Sequence, residues 1–286
     1  MKKMAKKMEP FLYLFPSMLL LASFTYFPFV QNIIDSLFIV NASGVRKAFV
    51  GFENYLLLFK NEQFIQAVFN TIKYALITIP CSLGIGLLLA IIARKKTKTS
   101  IIYEALFSLP MAVSLSVIAM IFQLMLNPNL GIVNKILGLD INWLKERLTA
   151  LPSLIAMEIW LNIGFNFLFM LTAIRSIPEE ILESSIIDGV NKVQLVYKII
   201  IPCISPTLLF LLVSSIAKTM ITSGLTLILT HGGPNGTTET IVSFIYRTAI
   251  VNQNYNVGYA ASVVGFFITF LFVMISFVYE KKGVNY

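Results

Sequence analysis

Residues 177–206 read IPEEILESSIIDGVNKVQLVYKIIIPCISP, a stretch that mixes charge with helical periodicity between two long apolar runs. Pro178 suits the first turn of a helix, where its missing N–H is not needed, and Glu179 and Glu180 favour the positive end of the helix dipole. Ile181, Leu182, Ser185 and Ile186 give that helix a packing face, and Gly189 breaks it. Asn191 caps a second helix, with Gln194 three residues on in a box-like arrangement. Val193, Val196, Tyr197 and Ile200 follow at helical spacing, and Pro202 is expected to end the segment. The spacing over 177–202 therefore predicts two short helices around a glycine elbow.

The flanks of this stretch set the class of protein. Of 286 residues, 57% are hydrophobic and 13% charged, against about 45–50% and about 25% in soluble domains. Apolar runs at about 11–34, 67–93, 101–126, 150–174, 203–229 and 258–279 are each long enough to cross a hydrocarbon layer of about 30 Å as a helix. The first is too long for the core of a cleaved signal peptide and lacks a clear small-residue cleavage site, so it is read as a retained span. The expected fold is an all-α membrane protein, one transmembrane domain over 1–286 with six helices. Residues 239–251, between the last two spans, have helical spacing of apolar residues and are expected at the membrane surface.

The net charge of +8 would suggest a nucleic-acid partner in a soluble protein. Here the basic residues flank spans and report orientation instead. With the N-terminus inside, the inner segments hold Lys2, Lys3, Lys6 and Lys7, the cluster Arg94, Lys95, Lys96 and Lys98, then Arg175, Lys192, Lys198, Lys281 and Lys282. The outer side holds only Arg46, Lys47, Lys60, Lys135, Lys145, Arg147 and Arg247. Both termini and the 177–202 stretch are therefore expected in the cytoplasm.

Charges deep in spans are rare and face protein or a water-filled path. Glu158 in the fourth span and Lys218 in the fifth qualify, whereas Lys73 and Glu104 lie nearer span ends. Glu158, Leu161, Asn162 and Phe165 share one helical face, and Ser215, Lys218, Thr219 and Thr222 share another. The two faces can meet near mid-membrane as a solute site, with Phe165 or Trp160 as its flat apolar wall. The plainer reading is a structural ion pair between Glu158 and Lys218.

At this point the chain resembles the membrane subunits of ABC importers. Their loop carries Glu-Ala-Ala, then Gly, then an Ile-x-Leu-Pro ending; here those positions read Glu183-Ser184-Ser185, Asp188-Gly189 and Ile199-Ile200-Ile201-Pro202. Gly51-Phe52-Glu53-Asn54-Tyr55, Asn142-Trp143-Leu144 and Thr230-His231-Gly232-Gly233-Pro234 extend the likeness over nearly the whole chain, closest to the carbohydrate-importing branch. One departure is Ser223-Gly224, where relatives often carry an aromatic followed by an acidic or polar residue.

The resemblance implies the type I importer permease fold, with Glu183, Ser184, Ser185, Asp188, Gly189 and Pro202 coupling to a separate ATPase. It implies that Glu158, Leu161, Asn162, Phe165, Ser215, Lys218, Thr219 and Thr222 contact a sugar. The partners implied are two ATP-binding cassette subunits, a second, homologous permease subunit and an extracytoplasmic solute-binding protein, in a bacterial cytoplasmic membrane. No cofactor is expected on this chain, since ATP and Mg belong to the partner ATPase. The sequence itself carries no Gly-x-x-x-x-Gly-Lys-Ser/Thr loop and no Gly-x-Ser-x-Gly elbow, and the single histidine, His231, has no ligand cluster around it. The alternatives are a permease for glycerol phosphate, a polyamine or a peptide, and a membrane-embedded sensor or enzyme using Glu158 and Lys218.

Overall fold

The computed structural model describes residues 2–41, 43–95, 97 and 100–283; Lys96 and Lys98 of the basic cluster lie outside these, as do the side chains of Lys2, Lys3, Lys6, Lys7, Ile186, Lys281 and Lys282. α1 (Lys2–Leu21) runs through a widened π turn at Ala22–Tyr26 into α2 (Phe27–Asp35). A hairpin of β1 (Phe38–Val40) and β2 (Arg46–Phe49) and the short α3 (Glu53–Lys60) follow. Then come α4 (Glu62–Ile92), α5 (Ser100–Ala112), α6 (Leu115–Met125), α7 (Ile132–Leu137) and α8 (Ala150–Arg175). Next are α9 (Glu179–Ile187), α10 (Lys192–Leu195), α11 (Ile201–Cys203) and α12 (Ser205–Ile221), with α13 (Ile241–Ile245) and α14 (Tyr255–Gly283) last. Five described helices are long and apolar enough to cross a membrane, and α5 with α6 makes a sixth if taken as one broken span.

That break corrects the expectation of a single straight helix over 101–126. α5 and α6 meet at 102°. Pro110 lacks the N–H that would continue the ladder, and Ser114 turns extended and starts α6 afresh with its hydroxyl accepting from the Val117 N–H. The fifth span is likewise not one helix to Leu229: Thr222 is extended, and a π turn at Thr226–Thr230 completes the run. The segment expected to be loop up to Gln66 is helical from Glu62, because Asn61 accepts from the Gln63 and Phe64 N–H groups. The last helix starts at Tyr255 rather than Gly258.

The chain divides into two units, Met1–Phe64 with Ile245–Phe266, and Ile65–Phe244 with Phe267–Tyr286. In the first, the Gly51–Tyr55 motif is a structural knot. Gly51 takes φ +56, which L side chains resist, and turns the chain into α3. Asn54 is buried and donates to the Ser36 and Phe38 carbonyls at 2.8 and 3.1 Å, while the Tyr55 and Ser36 hydroxyls meet at 2.6 Å. Asp35 pairs with Arg46 across the hairpin, and the Asn256 carbonyl of the side chain accepts from the Val40 N–H. The outward residues Phe11 to Phe27 of the first span are almost all exposed, as an all-round apolar helix in lipid would be.

The second unit is built around α8. A Cβ on Gly164 would strike the Phe107 carbonyl of α5, and one on Gly86 of α4 would lie 2.9 Å from the Asn166 Cβ, so both helices approach α8 with no room for a methyl. One core joins Ala90 of α4 and Ala93 just after it, Phe167, Met170, Leu171 and Ile174 of α8, and Ile177, Leu195, Ile200, Ile204 and Leu211 beyond it. A second core gathers Tyr74, Ala119, Leu151, Leu154, Ile155, Met157 and Leu225 toward the other end of α8. Trp143 donates to Asn134 at 2.6 Å, and Asn134 in turn holds the Ile141 carbonyl, so the Asn142–Leu144 motif knots the loop before α8.

Candidate functional site

Two places in the second unit bring the candidate residues together. The first is the elbow pair after α8. Gly189 has φ +75 and nothing within 4 Å of where a Cβ would stand, so its requirement is conformational rather than steric. Asn191 and Gln194 form the reciprocal capping box that the sequence announced, with Asn191 Oδ1 accepting at 2.8 Å and Gln194 Oε1 at 3.1 Å. Ser185 is buried and bonds the Leu182 carbonyl; Glu183, Ser184 and Asp188 are exposed.

Packing of the pair differs from the periodic reading. Ile181, expected on the packing face of the first helix, is 43% exposed, and Val193 and Tyr197 of the second are 65% and 69% exposed. Leu195 and Ile200 carry the inner face of the second helix, which widens into a π turn at Val196–Ile200. The same widening corrects the expectation for Pro202. It does not end the segment: helix continues to Cys203 and resumes at Ser205, since a proline in the first turn of α11 needs no N–H and the wider turn before it relieves its ring of the preceding carbonyl. Ile181, Ile187, Val193 and Tyr197 thus leave an outward apolar set beside the exposed Glu183 and Asp188.

The second place is a cavity of about 600 Å³ between α5, α6, α8 and α12. Glu158, Leu161, Asn162 and Phe165 of α8 line it, together with Ser215, Lys218 and Thr222. Glu158 and Lys218 form no direct ion pair within 4.0 Å. Asn162 stands between them, its Oδ1 accepting from Lys218 Nζ at 2.7 Å and its Nδ2 donating to Glu158 Oε1 at 3.0 Å. The Tyr74 hydroxyl of α4 lies 3.4 Å from Glu158 Oε2. Glu158 is 1% exposed, so this chain of donors is what a carboxylate needs when withdrawn from water. Lys218 is exposed and lines the cavity, with one of its three N–H donors directed to Asn162.

Two candidates fall elsewhere. Thr219 is buried and does not line the cavity, because the α12 face that meets α8 is centred on Ser214, Ser215 and Lys218. Trp160 lines a separate, almost wholly apolar cavity of about 580 Å³ with Trp143 and Phe122, its ring edge-on to Phe122 at 5.5 Å. Tyr74, Asn166, Ser214, Pro110 and Leu115 complete the polar cavity's surroundings without having been singled out. Asn166 carried a signal, since it continues the four-residue spacing of Glu158 and Asn162; its Nδ2 is buried with no hydrogen-bond partner. At the Ser223-Gly224 departure, a methyl of Leu115 at the start of α6 lies where a Cβ on residue 224 would stand, so a larger residue there requires the Leu115 side chain to move.

Residues 82–281, which contain both places, match the family described as binding-protein-dependent transport system inner membrane component. The chain belongs to that family. This permease is 31% identical to a probable ABC transporter permease protein of Bacillus subtilis, over 97% of both chains. It is 30% identical to an sn-glycerol-3-phosphate transport system permease protein of Agrobacterium fabrum, over 98% of this chain and 97% of the relative. Its fold matches a chain of a bacterial alginate ABC transporter, solved with an alginate pentasaccharide-bound periplasmic protein, with a TM-score of 0.85 at 23% identity over 98% and 96% of the two chains. It is therefore a multi-pass inner-membrane permease of the type I importer fold, and its curated relatives are named as transport subunits.

Proposed function

We propose that this permease forms half of the path of an ATP-driven importer for a sugar or oligosaccharide and is driven through the 177–202 elbow pair. One observation carries the reading: α8 and α12, the helices that the elbow pair connects, also supply Glu158, Asn162, Ser215 and Lys218 to the cavity. A push on the pair therefore reaches the cavity through the two helices that flank the pair. Glu183, Asp188 and the outward Ile187, Val193 and Tyr197 form the face for an ATPase; Ser184 and Ser185 keep α9 slim, and Gly189 sets the angle. Asn162 and Lys218 bind solute polar groups, Glu158 orients Asn162, and Phe165 with Leu161 supplies the apolar wall. Thr222 and Ser215 add hydroxyls at the rim.

In this reading the whole chain is one permease domain of six spans, the bent α5–α6 pair counting as the third, with both termini and the elbow pair in the cytoplasm. It works beside a second, homologous permease, two ATPase subunits and a solute-binding protein. A second solute class, a phosphorylated polyol, is favoured by the Lys218 ammonium facing the cavity and by the glycerol-phosphate permease among the relatives. Purified transporter in proteoliposomes, offered a neutral oligosaccharide, an acidic one and glycerol phosphate with the cognate binding protein, tests both. Solute-stimulated ATP hydrolysis is expected for one class. Failure of the chain to copurify with an ATPase, or hydrolysis indifferent to every solute, would overturn the proposal.

A further inference from the structure

Arg175 is the last residue of α8 and stands just before the elbow pair. Its side chain turns away from that pair and toward two other helices. Nη2 donates to the Ala93 carbonyl at 2.9 Å and to Glu104 Oε1 at 2.6 Å, and Nε donates to the Arg94 carbonyl at 3.2 Å. Ala93 and Arg94 follow directly on α4, whose last carbonyls carry the negative end of its dipole, and Glu104 lies in the first half of α5. A planar guanidinium offers donors in fixed directions and satisfies three acceptors on two elements at once, which an ammonium on a flexible stem does not reproduce. Arg175 and Glu104 are both about one-fifth to one-quarter exposed, so the contact is sheltered from competing water.

Around this point the helices have no slack. Gly164 brings α8 against the Phe107 carbonyl of α5, Gly86 brings α4 against Asn166, and the core that holds Ile177, Leu195 and Ile200 of the elbow segment includes Ala90 of α4 and Ala93 just after it. Packed elements of this kind shift as bodies rather than stretch. We propose that Arg175 is a positioning residue for coupling: it locks the ends of α4 and α5 to the base of the elbow pair, so that motion of the pair carries α4 and α5 along with α8 and α12. The inference rests on the elbow pair being the ATPase contact. Its consequence is that the α5–α6 bend, which walls the cavity, moves with the stroke instead of being passed by it.

The test uses the assembled transporter with Arg175→Lys and Arg175→Ala. Solute imported per ATP hydrolysed is expected to fall by about ten-fold in the alanine variant, with basal hydrolysis unchanged. The lysine variant, which keeps the charge but reaches fewer acceptors, is expected to recover only part. Spin labels at Glu180→Cys and Ile102→Cys, in a background lacking Cys81 and Cys203, read the α9 to α5 distance directly. That distance is expected to be narrow and equal with and without nucleotide in the native chain and to broaden in the alanine variant. Native stoichiometry together with an unbroadened distance in Arg175→Ala overturns the clamp. If the alanine variant does not assemble, a lysine variant with native values for both overturns it equally. Failure of the underlying reading would show in the unmutated transporter, as hydrolysis that ignores solute, whereas failure of the clamp shows only in the variants.

Discussion

The elbow pair and the polar cavity sit at opposite kinds of surface, and each solves its problem with the chemistry the other avoids. The pair buries Leu195 and Ile200 and leaves Glu183, Asp188, Val193 and Tyr197 outside, so its outward face carries charged and apolar side chains together. The cavity does the reverse: Glu158 and Asn162 are buried and bonded to each other, to Tyr74 and to Lys218, and the groups left facing the open space are the lysine, the remaining lone pair of Asn162 Oδ1, Asn166 and hydroxyls. The difference teaches where each site is vulnerable. The pair depends on backbone shape, because Gly189 has open space around it; the cavity depends on a chain of hydrogen bonds in which one link serves two charges.

Removing that link should have the largest effect. Asn162→Ala takes the bridge from both Glu158 and Lys218 and leaves a buried carboxylate short of a donor, a loss of about 2–3 kcal/mol. Solute affinity and the melting temperature of the detergent-purified transporter are both expected to drop; a fall in neither would make the network ornamental. At the pair, Gly189→Leu forces a side chain into left-handed backbone at about 1–2 kcal/mol, whereas Gly189→Asn, which tolerates that conformation, is expected to keep most import. Equal loss in the two variants, measured as import per ATP, would mean that bulk rather than φ is what matters there. Asn191→Ala removes one half of the capping box and should cost about 1 kcal/mol, seen as faster amide exchange confined to 191–195 with import reduced only slightly. The smallest effect belongs to Thr219→Val, which lies behind the cavity wall; binding affinity for solute is expected to stay at the native value, and a loss would put Thr219 back among the contacts.

Much of the pair was legible because it is local. Pro178, the acidic first turn, Gly189 and the Asn191–Gln194 box all act within five residues, where spacing and backbone preference decide the outcome. What spacing did not reveal was the π turn at Val196–Ile200, since no residue type marks it. The cavity was legible by half. Charges inside apolar runs drew attention to Glu158 and Lys218, and helical spacing added Asn162, Phe165 and Ser215. Thr219 and Thr222 were placed on one face with Ser215 and Lys218, but only Thr222, four residues after Lys218, lines the cavity, while Thr219 is turned about 100° from Lys218 and is buried.

By itself the sequence determined the membrane class, the mostly helical apolar runs, the elbow and the identity of the charged side chains, because these follow from transfer energies and dihedral preferences that each residue carries with it. Only the tertiary structure decided that Asn162 separates Glu158 from Lys218, that α5 and α6 bend by 102° to wall the cavity, and that Arg175 binds α4 and α5 instead of facing solvent. Those outcomes depend on which helices come close enough to exclude a methyl at Gly86 and Gly164. That proximity is a property of pairs far apart in the chain, and no single segment encodes it.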